Sequence, residues 1–163
     1  MSDIEIRYAQ TDNDVIAIHG FLCIVAGPTL PGPIDHKDSA TEVWRVATHD
    51  VALMAIKDDK VVGTIGLVRP QFWWNSKINF LANRWFFTLP GSGSAKPLLA
   101  EAKTIAKASD LELHIYDENR GRLLILNKSK KRHVPRWITD IKFDNKQRLG
   151  NEPAAMAAER CLL

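Results

Sequence analysis

The residues Gly91-Ser92-Gly93-Ser94-Ala95-Lys96-Pro97 combine small side chains, two hydroxyls and one cation immediately ahead of a helical pattern. In that pattern Leu98, Leu99, Ala102, Ile105 and Ala106 form one apolar stripe, and Pro97 suits a first turn. The first turn of a helix carries backbone N–H groups without intrahelical partners and the positive end of the macrodipole, so small residues in front of it let a phosphate come close. Gly91, Gly93 and Ala95 leave that room. The segment is not a GxGxxG fingerprint, because Lys96 stands where the last Gly is required, and GxxxxGK[ST] has no match in the chain. On the residues alone it is an anion cradle or a plain connecting loop.

Two further groups could do chemistry. In Leu111–Tyr116, Leu111, Leu113 and Ile115 alternate with Glu112, His114 and Tyr116, which places His114 and Tyr116 on one face of a strand. Both are proton-transfer types, candidates for general acid or base work, and both are also ordinary packing residues. Asp117 and Glu118 read as turn residues or a base. The other group is a block of charge. Net charge is only +3, yet Arg120, Arg122, Lys128, Lys130, Lys131, Arg132 and Arg136 put +7 into residues 120–136 with no acid among them. Such a block addresses nucleic acid, a phosphorylated cofactor or an acidic protein face, or it is a solvated helix face.

These residues need elements to hold them. Ile4, Ile6 and Tyr8 alternate in a first strand over Glu5–Ala9. A helix over Asp14–Val25, capped by Thr11 or Asp12, carries Val15, Ile18, Leu22 and Val25 at helical spacing. Pro28, Pro31 and Pro33, with Gly27 and Gly32, make residues 27–38 a long surface loop. Its Asp35, His36 and Asp38 are polar candidates. A second helix is expected from Ser39 to His49, with Trp44 in its buried pattern. Three strands follow, Val51–Ile56, Val61–Val68 and Ile78–Leu89, punctuated by the polar turn Lys57-Asp58-Asp59-Lys60 and by Pro70 and Pro90. The helix from Lys96 to Ala108 and the strand Leu111–Tyr116 complete a βαβ unit, so the strands on either side of it should run parallel. Leu123, Leu124 and Leu126 inside the basic block suggest a short helix. Trp137, Ile141 and Phe143 suggest a last strand, and Ala154–Leu162 a C-terminal helix. Of the remaining Trp residues, Trp85 and Trp137 fit core positions, whereas Trp73 and Trp74 flank a turn, so one of them needs a lid, a dimer face or an acceptor pocket to cover it.

This order of elements, an α/β (α+β) fold in which an antiparallel meander precedes a βαβ unit with a phosphate-type turn, resembles the GNAT superfamily of acyl-CoA-dependent N-acyltransferases over roughly Ile4 to Lys131. In that family a turn Arg/Gln-x-x-Gly-x-Gly/Ala cradles the pyrophosphate of coenzyme A. Pro90-Gly91-Ser92-Gly93-Ser94-Ala95 matches it at Gly93 and Ala95, with Pro90 in place of Arg or Gln and Lys96 as substitute charge. Val61-Val62-Gly63-Thr64-Ile65-Gly66 also looks like a family strand. The resemblance implies acetyl-CoA as co-substrate, held around Phe87, Thr88, Leu89, Gly91–Lys96 and Asn119, the last at the start of a following helix. It implies direct attack by a primary amine on the thioester in a ternary complex, with backbone N–H groups near Phe87 and Thr88 polarising the acyl carbonyl. The family's Tyr acid would fall at Leu126, which leaves Tyr116 and His114 as candidate catalytic residues. Asn83 and Arg84, on the long strand, would face the acceptor, a small molecule or protein amine, or else take surface or core-edge roles. A homodimer is common among similar proteins. The alternatives are a nucleic-acid-binding protein using residues 120–136 and a catalytically silent acyl-CoA binder.

Length and composition set the bounds. A chain of 163 residues, 45% hydrophobic and 25% charged, is expected as one domain, 1–163, burying about 70% of its unfolded surface. Cys23 and Cys161 are its only cysteines, and with no CxxC or zinc-type Cys/His spacing no metal is expected. A cytoplasmic protein without a membrane partner is expected from the acidic start and from the lack of an apolar run of about 18 residues.

Overall fold

The computed structural model describes residues 3–71, 79–117 and 121–127, within a compact unit of Met1–Lys130. The elements are β1 (Glu5–Tyr8), α1 (Asp12–Val25), a 3-10 turn (Gly27–Thr29), α2 (His36–His49), β2 (Val51–Lys57), β3 (Lys60–Val68), β4 (Phe80–Thr88), α3 (Ala95–Ala108), β5 (Glu112–Asp117) and β6 (Arg122–Leu126). The strands form one sheet in sequence order, antiparallel throughout except for the parallel β4–β5 pair that the βαβ pattern predicts.

The sheet has two buried faces. Leu53, Ala55, Ile65, Leu67, Leu81, Leu113 and Ile115 meet the α3 stripe of Leu98, Ala102 and Ala106. On the other face Ala52, Met54 and Trp85 meet Ile18 of α1 and Val43 and Val46 of α2. Trp85 is buried as expected, and its indole N–H donates to Thr64 Oγ1 at 3.2 Å while Thr64 donates to the Leu53 carbonyl at 2.9 Å. The polar chain inside this core is therefore closed.

Three expectations need correction. α2 begins at His36, not Ser39, because Asp35 caps it by accepting from the Lys37 and Asp38 N–H groups at 2.9 and 3.0 Å. Trp44 is not core: α2 buries Val43 and Val46, and Trp44, one position round the helix, stays 47% exposed beside a groove of about 350 Å³ lined by Asp12, Val15, Ile16, Ala40 and Thr41. The leucines of the basic block form strand β6, not a helix, after a turn at Gly121 with φ of 57°, and they pair from Leu113↔Leu126 to Asp117↔Arg122. Leu126, where the family's acid would stand on a helix, is thus a ladder residue. Asn119, Trp73, Trp74, Trp137, the expected last strand and C-terminal helix, and the block residues Arg120, Lys128, Lys130, Lys131, Arg132 and Arg136 lie outside the described residues. Among the described residues no helix is long and apolar enough to cross a membrane.

α1 starts with a capping box: the Thr11 side chain accepts from the Asp14 N–H, and the Asp14 carboxylate accepts from the N–H groups of Gln10 and Thr11 and from Thr11 Oγ1. Burial by itself pushes the Asp14 carboxyl up; these hydrogen bonds and Arg7, 3.0 Å away, outweigh it and hold the carboxyl below the usual range. A carboxyl whose pKa falls on folding stabilises the protein above its unfolded pKa of about 4, and the contribution disappears as pH drops through the folded value. Asp14→Ala should therefore cost about 2 kcal/mol near neutral pH, or about 4–8 °C in Tm, and the parent and variant should converge in acid. Calorimetry from about pH 7 to about pH 3 reads both; a gap independent of pH would assign the loss to something other than the carboxylate.

Candidate functional site

The Gly-Ser segment is built from the end of β4 inward. Leu89 donates to the Val62 carbonyl of β3 at 2.8 Å, and Ser92 N–H returns to the Leu89 carbonyl at 3.1 Å. This closes a β-turn with Pro90 and Gly91 at its centre and Gly91 at φ of +74°, the type II pattern in which Pro suits the first central position and Gly the second. Pro90 is thus the residue that shapes the turn. Gly93, at φ of +75°, reverses the chain again into Ser94.

Ser94 is fully buried. Its hydroxyl donates to the Val62 carbonyl at 3.1 Å and so accepts from Ser92 Oγ at 2.8 Å, while Ser92 Oγ accepts from the Ser94 N–H at 3.3 Å. The two serines fasten the loop to β3 instead of presenting their hydroxyls to a ligand. Ser94 precedes the first residue of α3 and its carbonyl accepts from Leu98, so the Ala95 and Lys96 amides point out of the helix end, and Pro97 has none. Together with the amides of Gly91 and Gly93, they make four N–H groups with no acceptor among the described residues, on a surface where Gly91, Gly93 and Lys96 are exposed. Four open amides at a helix start, in a segment that also carries a lysine, are donors of the kind that bind phosphate oxygens.

Gly63 lets this loop sit where it does. A Cβ there would lie 2.6 Å from Ser94 Oγ, 3.0 Å from Leu98 Cδ1 and 3.1 Å from Thr88 Cγ2. Gly63→Ala should therefore dislodge Ser94 at a cost of about 1–3 kcal/mol. Pairing it with Ser94→Gly should recover part of that loss, and a thermodynamic cycle by urea unfolding would show whether the two residues couple. Strict additivity would mean that they do not press on each other.

Beside the loop the sheet splits. β4 and β5 are in register only over Phe80↔Glu112, Leu81↔Leu113 and Ala82↔His114. At the next step the Asn83 side chain replaces the strand: its Nδ2 donates to the Tyr116 carbonyl at 3.2 Å and its Oδ1 accepts from the Tyr116 N–H at 2.7 Å. Phe87 pairs with Thr64 on β3, and Leu89 donates to the same strand, so by the two-residue alternation the N–H groups of Phe86 and Thr88 turn toward the side that β5 has left. Of the two amides expected at this position, Thr88 faces the split and Phe87 is committed to the ladder.

Tyr116 borders the split and is 48% exposed. His114 is enclosed: its Nε2 lies 3.2 Å from Glu112 Oε2, and its ring stacks on Phe80 at 4.0 Å between centroids. Arg84 reaches away to α2, donating to Glu42 Oε1 at 2.8 Å. Glu42 also takes two hydrogen bonds from Arg45, which hold its carboxyl below the usual range against a smaller push from burial, with Arg84 adding to the effect. Asn83 and Arg84 are therefore structural bridges. The sequence held a signal for the packing role of Gly63, since a glycine inside a strand marks a close approach; the bridging role of Asn83 had none, because its partner lies 33 positions away.

No protein-family model and no curated protein matches the chain. Solved structures do. A GNAT family acetyltransferase from Staphylococcus aureus superposes with a TM-score of 0.55 at 20% identity, covering 82% of this chain and 100% of that one. A GNAT family acetyltransferase from Brucella melitensis, in complex with acetyl-CoA, gives 0.58 at 16% identity over 77% of this chain and 88% of that one. A predicted acetyltransferase from Clostridium acetobutylicum, also with acetyl-CoA, gives 0.55 at 18% identity over 74% and 84%. The superpositions extend over most of this chain and of each neighbour, and the chain has the fold of the GNAT-family acetyltransferases.

Proposed function

We propose that this protein is an N-acetyltransferase that uses acetyl-CoA to acetylate a primary amine. The observation that carries the reading is the set of four acceptor-free amides, of Gly91, Gly93, Ala95 and Lys96, at the start of α3 and next to the split between β4 and β5. Two neighbours of the same fold are complexes with acetyl-CoA, which supports the choice of ligand. When bound, that group supplies an activated thioester. The loop amides and the Lys96 ammonium hold its pyrophosphate, and the Phe86 and Thr88 amides stand as donors to carbonyl oxygen at the split. Tyr116, exposed at the border of the split, gives a proton to the departing sulfur as the amine displaces it, and the proton that the amine nitrogen loses restores the phenol by way of solvent. Ser92 and Ser94 serve the site by fixing the loop, and His114 by packing β5 against Phe80.

The reading is tested by ligand-induced stabilisation. Acetyl-CoA at about 100 times its Kd should add about 2.7 kcal/mol, a rise of about 5–10 °C in Tm. Release of free thiol in the presence of a panel of amines should then identify the acceptor class. Stabilisation without thiol release would make the protein a silent acyl-CoA binder, and no stabilisation by acetyl-CoA, coenzyme A or longer acyl-CoAs would remove the proposal.

A further inference from the structure

On the face of the sheet opposite α3, α1 and α2 bring together side chains that the acetyl-transfer reading does not use. Cys23 Sγ lies 3.5 Å from His19 Nε2 and 3.7 Å from His36 Nδ1, and the three ligand atoms are all within 4.8 Å of one another. The two imidazoles meet edge to face at 5.6 Å between centroids. His19 and Cys23 are one turn apart on α1 and share a face; His36 is the first residue of α2, across the proline-rich loop. The sequence reading found no metal-type spacing because His36 is brought in only by the Asp35 cap and the helix start it creates.

We propose that His19, Cys23 and His36 form a zinc site, with the fourth position taken by water or an external ligand. Zinc bonds of about 2.3 Å to sulfur and about 2.05 Å to nitrogen at a tetrahedral angle separate the sulfur and nitrogen ligands by about 3.6 Å. Both sulfur-to-nitrogen distances are already at that value, 3.5 and 3.7 Å. The histidine nitrogens have only to close to the corresponding separation of about 3.3 Å. Two imidazoles and a thiolate suit zinc and not magnesium or calcium, which take oxygen donors. On binding, a zinc–sulfur bond forms, the thiol proton passes to buffer, and His19 Nε2 gives up its contact with Ser39 Oγ, now 2.9 Å long. His19 and Cys23 are half-buried and His36 is exposed, so an ion can enter from solvent. A bound ion would tie the end of α1 to the start of α2 and fix the loop between them at both ends.

The test uses the full chain stripped with a chelator and titrated with zinc(II), and separately with cobalt(II), whose thiolate charge-transfer band reports a sulfur ligand. One zinc per chain is expected, with a rise of about 5–10 °C in Tm at about 100 times Kd. The cobalt band should be present in the parent and in Cys161→Ser and absent in Cys23→Ser. His36→Ala, a change at an exposed position, should weaken zinc at least about ten-fold. Circular dichroism establishes that each variant is folded. A parent with neither zinc-dependent stabilisation nor a cobalt–thiolate band, or a band lost in Cys161→Ser and kept in Cys23→Ser, would overturn the site.

Discussion

Gly93→Asp should weaken acetyl-CoA binding by at least about 100-fold, whereas Gly93→Asn should stay within about ten-fold of the parent. The two variants separate charge from backbone. Gly93 sits at φ of +75°, and a Cβ there would meet only Ile4 Cδ1 at 3.8 Å, so space is available and the cost to either variant is the left-handed conformation. Asn and Asp tolerate that conformation better than other side chains, at a shared cost of about 1 kcal/mol. They differ in that Asp places a carboxylate beside the amides that would hold a pyrophosphate. Two like charges about 4 Å apart near a protein surface repel by up to about 4 kcal/mol, and two thirds of that already exceeds a factor of about 90 in affinity. Isothermal titration with acetyl-CoA measures the pair. Equal affinities for the two variants would place the pyrophosphate somewhere other than this loop.

Tyr116→Phe should lower kcat by about 100-fold and leave KM for acetyl-CoA nearly unchanged, the pattern of a lost general acid. The substitution is clean because Asn83 grips the Tyr116 backbone and not its ring, so the split keeps its shape when the hydroxyl goes. The ring is also half exposed, and little packing changes. Turnover within about three-fold of the parent would leave the proton to water or to the acceptor. His114→Ala is the contrasting case: its contacts to Glu112 and Phe80 are lost, so stability should fall without a matching kinetic defect.

Elements whose periodicity was local could be read directly. α1, α3, the meander and the parallel β5 follow from apolar spacing and from Pro and Gly punctuation, and so did the glycine turn ahead of α3. What could not be read depended on partners distant in sequence. Leu123-Leu124-Ile125-Leu126 has no period of its own, and only the ladder with β5 makes it a strand. Trp44 sits next to the buried stripe, and helical spacing alone does not select which neighbour turns outward. Asn83 looked like an acceptor-facing polar residue until Tyr116 supplied its partner 33 positions later. Ser92 and Ser94 looked like ligand donors and are spent on each other and on Val62.

The Asn83 amide also sets the resting state of the sheet. A parallel pair that merely ended after Ala82 and His114 would be free to zip further, since each strand continues for several residues beyond the last registered pair. By occupying both the N–H and the carbonyl of Tyr116, one side chain satisfies the groups that further zipping would have used. The cleft is consequently open before any guest arrives, and no part of the association free energy is diverted to prising strands apart, which is preorganisation written into a single carboxamide.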